Sequence, residues 1–329
     1  MRVLSGIQSS GKLHLGNYLG AIRQHIELQR EHECFFFVAN YHALTTVHDP
    51  DEMRARTLDV ALDYLALGLD PSRAALYRQT DLPEVCELAW ILGCVTGKGL
   101  LERAVSYKDK LDRGLPASMG LFCYPVLQAA DILIVSADAV PVGRDQVQHI
   151  EMTQDMAGYF NNAFGRGEAI LKRPEARLNQ AYTVPGVDGQ KMSKSYGNAI
   201  DLFDTPRNTR KRIMSIVTDS TPVDAPKDPG TCNVMAILSL MVDDDERREW
   251  EQRYRAGGMG YGEVKKRLAD VFEQVIGPAR ERRVKLAADT DYVEDVLVEG
   301  AGKARRAALP LMERVRTACG LVKIKAGGR

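Results

Sequence analysis

Short apolar segments alternate along the first two-thirds of the chain with stretches whose apolar residues recur every three or four positions. No other feature limits the possible folds as tightly. Arg2-Val-Leu-Ser-Gly-Ile7 reads as a buried strand, and after a glycine-rich turn Leu15, Leu19, Ile22 and Ile26 mark one face of a helix. Cys34–Val38 and Ala74–Tyr77 read as further strands, with Leu58, Leu62 and Leu65 marking a helix between them. Ile132–Val135 and Ala181–Val184 are also expected as strands, the second just before the turn signals Pro185-Gly186 and Asp188-Gly189. Strands alternating with helices imply a doubly wound parallel sheet of the α/β class. Beyond Ser195 the strand signal fades. Thr205-Pro206 suits a helix cap and first position, and Val264, Leu268, Val271, Phe272, Val275 and Ile276 form a long helical stripe. The expected division is an α/β domain over 1–197 with a helical insertion near 85–120, then an all-helical domain over 198–329.

The chain has 329 residues, enough for about two domains, and its 44 basic residues balance 44 acidic ones. No net field draws it to nucleic acid or to anionic membrane, so any RNA contact must use a local patch. Arg207, Arg210, Lys211 and Arg212 form one candidate; Lys265, Lys266 and Arg267 form another, and both also fit solvated helix faces. The cysteines, at positions 34, 86, 94, 123, 232 and 319, show no metal-ligand spacing. Reduced thiols and a cytoplasmic location are expected, with no membrane span and no leader.

Gly6-x4-Gly11-Lys12 nearly matches a P-loop, but Leu13 stands where that motif needs a metal-binding hydroxyl. The next four residues, His14-Leu-Gly-Asn17, open a helix, where a close-approach glycine and two polar side chains suit a nucleotide phosphate. Turn glycines with a capping histidine is the competing reading. About 175 residues later, Lys191-Met-Ser-Lys-Ser195 places two ammonium groups in a loop, able to follow charge as it builds on a departing phosphate.

These two segments resemble the HIGH and KMSKS signatures of the class I aminoacyl-tRNA synthetases. Gly6-Ile-Gln8, Gly16–Gly20, Ala129-Ala-Asp131, Val140–Gln146 and Gln148–Glu151 extend the resemblance, most closely to the tryptophanyl branch. It implies a Rossmann-like catalytic domain and a helical domain that binds the tRNA anticodon, with the last helices folding back on the first domain. It also implies a homodimer that forms an aminoacyl adenylate from ATP and L-tryptophan and then charges tRNA(Trp), without DNA as a partner. His14, Asn17, Lys110, Lys191 and Lys194 would be catalytic, with Mg²⁺ carried on ATP and no metal held by the chain itself. ATP would further touch Gln8, Ser9, Ser10, Gly16, Arg144, Ser193 and Ser195, with Gly143 and Asp145 at the ribose and Val184 and Met192 at adenine. Of the tryptophan-binding residues, Asp131 would accept the indole N–H, while Tyr124, Gln146 and Gln8 would hold the α-ammonium. Leu4, Gly6, His42 and Gln128 would complete the pocket.

Tyr124, Gln128 and Asp131 share one face of a helix entered through Pro125, and three polar groups there need partners. A buried polar network without a ligand would also serve. Gln128 departs from the methionine usual in bacterial tryptophanyl enzymes, and Tyr-x3-Gln-x2-Asp also resembles the tyrosyl branch. Leu4, however, stands where tyrosyl enzymes place a tyrosine to meet the phenol, and a phenol-reading site needs both partners. Tryptophan is the favoured substrate, with tyrosine open. Adenylyltransferases with a HIGH-type loop, and a non-enzymatic synthetase-like RNA-binding or regulatory protein, are the readings from other classes.

Overall fold

The computed structural model describes residues 1–8, 11–104, 118–178 and 184–321. Five parallel strands, β1 (Arg2–Ile7), β2 (Glu33–Val38), β3 (Ala74–Arg78), β4 (Ala139–Val142) and β5 (Glu175–Leu178), form one sheet in the order β3-β2-β1-β4-β5. The chain moves outward from β1 through β2 to β3, then returns to the other side of β1 for β4 and β5. This reversal puts a crevice outside the carboxyl ends of β1 and β4, where α/β sheets bind their ligands. The α/β class and the first three strands are as the sequence pattern predicts.

Among the described residues, the first helical stretch runs through α1 (Leu15–Asn17), a π-helical turn at Tyr18–Ile22 and α2 (Arg23–Leu28). Then come α3 (Asn40–Ala43), α4 (Pro50–Leu67), α5 (Glu84–Val95), α6 (Lys98–Glu102), α7 (Met119–Ile134) and α8 (Val147–Phe164). The carboxyl-terminal part holds α9 (Pro206–Met214), α10 (Asn233–Leu238), α11 (Asp244–Ala256), α12 (Tyr261–Ala287) and α13 (Thr290–Ala318). Local chemistry sets the ends: Asp49 accepts from the Glu52 amide at 2.8 Å to cap α4, and Thr205 with Pro206 opens α9 as expected.

One strand expectation needs correction. Ile132–Val135 is the end of α7 and its cap, and the strand lies one segment later at β4. A short apolar run buried on all sides carries no period that separates helix from strand. Pro125 is interior to α7, which starts at Met119, where Ser118 Oγ accepts from the Leu121 amide at 3.2 Å. The Tyr124, Gln128, Asp131 face survives because these residues stay in one helix. Most of Ala181–Val184 lies outside the described residues, and β5, largely exposed and with two charged residues in four, gave no apolar signal.

Side chains alternate across the sheet and build a core on each face. Cys34, Phe36 and Val38 point to one, with Leu15, Ile22, Val264 and Phe272. Phe35 and Phe37 point to the other, with Leu88, Ala129, Phe160 and Met312. Both cores therefore draw on residues from either side of residue 197. In the α12 stripe Val264, Leu268, Val271, Phe272 and Ile276 are buried, while Val275 is on the exposed side.

Helix α13 covers the open edge of β3. Its first half supplies Val293, Val296 and Leu297 to one core and its second half Ala304, Ala308 and Met312 to the other. It passes the strand at Gly300, where a Cβ would lie 1.8 Å from the Leu76 carbonyl oxygen. Gly300→Ala must push the helix off the strand and should cost about 1–3 kcal/mol. An unchanged urea midpoint would show that the helix docks less closely than this.

His25 is sealed in the first core, with Nδ1 3.0 Å from Tyr64 Oη and its ring stacked 4.9 Å from Phe36. Burial pulls its pKa down to about 3. The unfolded chain therefore takes up this proton near pH 6.5 while the folded chain refuses it. Stability from this group is complete above pH 6.5 and falls by up to about 1.4 kcal/mol per pH unit below it. Denaturation midpoints of His25→Gln should depend less steeply on pH between 6.5 and 4 than wild type; equal slopes would assign the acid loss elsewhere.

Candidate active site

The crevice at the strand reversal opens into a cavity of about 540 Å³, within the range of small-molecule sites. Leu4 and Gly6 line it from β1 and Gln8 from just after it, Val142 from the end of β4 with Gly143 and Gln146 just beyond, His42 from α3, and Tyr124, Gln128 and Asp131 from α7. All eight residues expected to hold the amino acid, together with the expected ribose contact Gly143, thus meet on one wall system. The lining is mostly apolar, with Leu4, Phe37 and Ile132 buried beside it.

Asp131 is buried, which raises its pKa, and bonds from His42 and Gln79 oppose that rise. Gln79 Nε2 donates to its two oxygens at 2.8 and 3.0 Å, and His42 Nε2 donates to Oδ2 at 3.1 Å. Gln79 is itself fixed, because its Oε1 accepts from the amides of Tyr41 at 3.0 Å and His42 at 3.3 Å. The fully buried Gln79 was not singled out from the sequence. Its signal was a glutamine directly after a buried strand, a position that obliges an amide to find partners. Buried His149 was also passed over: its Nε2 lies 2.8 Å from Tyr124 Oη and orients the phenol that edges the cavity. Gln8 Nε2 donates to the His42 carbonyl at 3.3 Å. The Gln128 side chain makes no hydrogen bond with another described residue, and it lines the cavity with both donor and acceptor capacity open.

The two distant motifs come together beside this cavity. The Leu15 amide donates to the Ile200 carbonyl at 2.8 Å, Leu202 donates to Leu13 at 3.2 Å, and Gly16 donates to Met192 Sδ at 3.3 Å. Gly11 has φ of 113°, and a Cβ there would stand 3.2 Å from Lys194 Nζ. The lysine of the second motif thus lies directly over the glycine turn of the first. Asn17 Oδ1 accepts from the His14 amide at 3.0 Å, which closes the helix start. Burial, and then the Lys194 ammonium, pull the His14 pKa down to about 4, so its imidazole is neutral near pH 7. His14 Nδ1 is buried without a partner among the described residues.

A hairpin carries the lysine loop: Val184 O accepts from the Met192 amide at 2.9 Å, and Pro185 bridges Lys191. Buried Asn198 secures it, accepting from the Ser193 amide at 2.8 Å and donating to Asp188 at 2.8 Å and to the Lys191 carbonyl at 3.2 Å. This residue too was missed, since one asparagine beyond a loop carries no pattern of its own. Ser193 and Ser195 bond each other through their hydroxyls at 2.8 Å. Lys191 is exposed, burial lowers the Lys194 pKa, and Arg144 is exposed at the end of β4. Val184 and Met192, expected beside adenine, are packed in the first core. Ser9, Ser10, Lys110 and the Asp145 side chain lie outside the described residues. Of the two basic runs, Arg210 pairs with Asp270 at 3.1 Å, Arg267 pairs with Glu246 at 2.6 Å, and Arg212 is bonded to the carbonyls of Ala199 and Gly197.

A parallel sheet with a pocket at its reversal and two phosphate-type loops pressed together defines a nucleotide-dependent synthetase. The family model described as tRNA synthetases class I (W and Y) matches residues 1–277, and the chain belongs to that family. The tryptophan–tRNA ligase of Rhodopirellula baltica is 51% identical over 98% of this chain and 100% of its own length. That of Fusobacterium nucleatum is 47% identical over 98% of each. Among solved structures, the tryptophanyl-tRNA synthetase of Campylobacter jejuni complexed with ADP and tryptophan superposes with a TM-score of 0.89 at 45% identity, covering 97% of this chain and all of that one. The tryptophanyl resemblance drawn from the sequence is thereby borne out.

Proposed function

We propose that this protein joins L-tryptophan to ATP as tryptophanyl adenylate, with release of pyrophosphate, and then passes the tryptophan to the terminal adenosine of tRNA(Trp). Full-length relatives that are tryptophan–tRNA ligases support the activity. The observation that carries the chemistry is the meeting of Lys194 with the Gly11 turn beside a pocket whose lining includes buried Asp131. The reaction needs positioning and charge stabilisation rather than a protein nucleophile.

In this reading the indole N–H donates to Asp131, whose carboxylate is preset by Gln79 and His42, while Leu4 packs against the ring. Tyr124, Gln146 and Gln8 hold the α-ammonium and aim the carboxylate at the α-phosphorus. His14, Asn17 and the Gly16 backbone receive the phosphates, Gly143 and Asp145 the ribose, and Lys191 and Lys194 the charge that gathers on pyrophosphate. Neutral His14 suits a donor that must not trap the product. Mg²⁺ arrives on the ATP phosphates; among the described residues no three His, Cys, Asp or Glu side chains converge as a cage.

We also place residues 198–329 at the tRNA anticodon, the protein in the cytoplasm and the chain in a homodimer. No described helix is long and apolar enough to cross a membrane. Trp90, 76% exposed on α5, is the kind of large apolar side chain that a partner surface covers. Light scattering would read the dimer directly as twice the chain mass, and a monomer at micromolar concentration would refute it. Charging assays with radiolabelled tryptophan should esterify tRNA bearing the tryptophan anticodon and leave tRNA(Tyr) uncharged. Equal charging of both would remove the specificity claim.

A further inference from the structure

A second cavity, of about 760 Å³, is lined by residues of the lysine loop and of α9, and by Lys12, the residue after the glycine turn that Lys194 covers. Three ammonium groups line it from three parts of the chain: Lys12, Lys194 and Lys211. None of them makes a hydrogen bond or an ion pair with another described residue. Elsewhere most arginines close on a carboxylate or a carbonyl, so cations left open around one cavity call for an anion. Thr209, 4% exposed, lines the same cavity, and its Oγ1 is buried without a partner among the described residues. A buried hydroxyl without a partner is costly unless a ligand completes it.

Two carboxylates share the wall. Asp204 accepts from the Asn208 amide at 2.9 Å and the Thr205 N–H at 2.7 Å and lies within electrostatic reach of Lys12, and the Asp201 carboxylate lies within electrostatic reach of Lys194. Their negative charge keeps the binding of an anion weak, which suits a species that must depart.

We infer that this cavity is the exit site of the inorganic pyrophosphate formed in the adenylation step. The inference rests on the adenylation reading above. As the tryptophan carboxylate oxygen bonds to the α-phosphorus, the bridging P–O bond breaks and its electron pair leaves with pyrophosphate. Lys194 faces both the glycine turn and this cavity, and so can hand the anion from one to the other. Lys12 and Lys211 neutralise it there, and the Thr209 hydroxyl donates to it.

The test is ATP–pyrophosphate exchange on the full chain, with the apparent KM of inorganic pyrophosphate as readout. Lys211→Ala should raise that KM about tenfold, while the KM values of tryptophan and ATP and the thermal midpoint hold. Thr209→Val should raise it by a smaller factor, and Lys211→Arg should restore it. An unchanged pyrophosphate KM in both loss variants, with exchange intact, would overturn the inference. A parallel rise in the KM of ATP would overturn it too, by placing the intact triphosphate in this cavity. So would a rise only in the KM of tRNA during charging, which would make the cavity a polynucleotide contact. Wild-type protein that shows no exchange with tryptophan would instead defeat the adenylation reading, and this inference with it.

Discussion

Lys194→Ala should slow adenylate formation by about 10²- to 10³-fold while tryptophan binds nearly as before. The reason is geometric. Lys194 Nζ stands at the glycine turn of the first motif and does not line the amino-acid cavity. Its ammonium therefore has little to offer bound tryptophan and much to offer a phosphate oxygen that gains charge as the bond breaks. Partial burial, which lowers its pKa, also removes the water that would screen it. Rapid quench of ATP cleavage measures the rate, and equilibrium dialysis measures tryptophan affinity. A loss divided equally between the two would mean that the lysine supports the fold of the loop and not the reaction.

Asp131→Asn should have the opposite profile, raising the KM of tryptophan by about 10²- to 10³-fold with a much smaller change in kcat. The aspartate is buried in the pocket lining, and His42 and Gln79 hydrogen-bond its carboxylate. An asparagine there turns one acceptor into a donor that faces Gln79 and His42, leaving buried groups mismatched and the indole N–H without a full carboxylate. Gln79→Leu, which removes the group that presets Asp131, should raise the same KM less, by about tenfold. If Asp131→Asn left the tryptophan KM unchanged and lowered only kcat, the carboxylate would serve the chemistry and not recognition of the ring.

The first three strands and the two motifs were legible because each is local: β2 is a run of apolar residues, and the signatures occupy a few consecutive positions. The polar face of α7 was legible for the same reason, even though Pro125 misplaced its start and the buried run at its end passed for a strand. What escaped were residues whose importance comes from a contact made across the fold. Gln79 follows β3 by one residue yet meets Asp131 on α7, and His149 on α8 meets Tyr124 on α7. Asn198 closes a hairpin that begins before residue 185. Gly300 is an ordinary helical glycine in sequence and the crossing point of α13 over β3 in structure. Such pairings have no period, and only the packed chain displays them.

Gln128 shows how sequence and structure meet at the question of which amino acid is used. Its open amide adds a polar group to the wall one turn before Asp131, whereas Leu4, at the position where a phenol-reading site would carry a second polar partner, adds apolar lining. That arrangement favours a large ring with a single N–H donor over a smaller one with a hydroxyl. Amino-acid-dependent ATP–pyrophosphate exchange, run with all twenty amino acids at equal concentration, tests this most directly. Tryptophan should support exchange, and tyrosine should fall at least about 10³-fold below it in kcat/KM. Exchange with tyrosine at a comparable rate, or with no amino acid at all, would contradict the account.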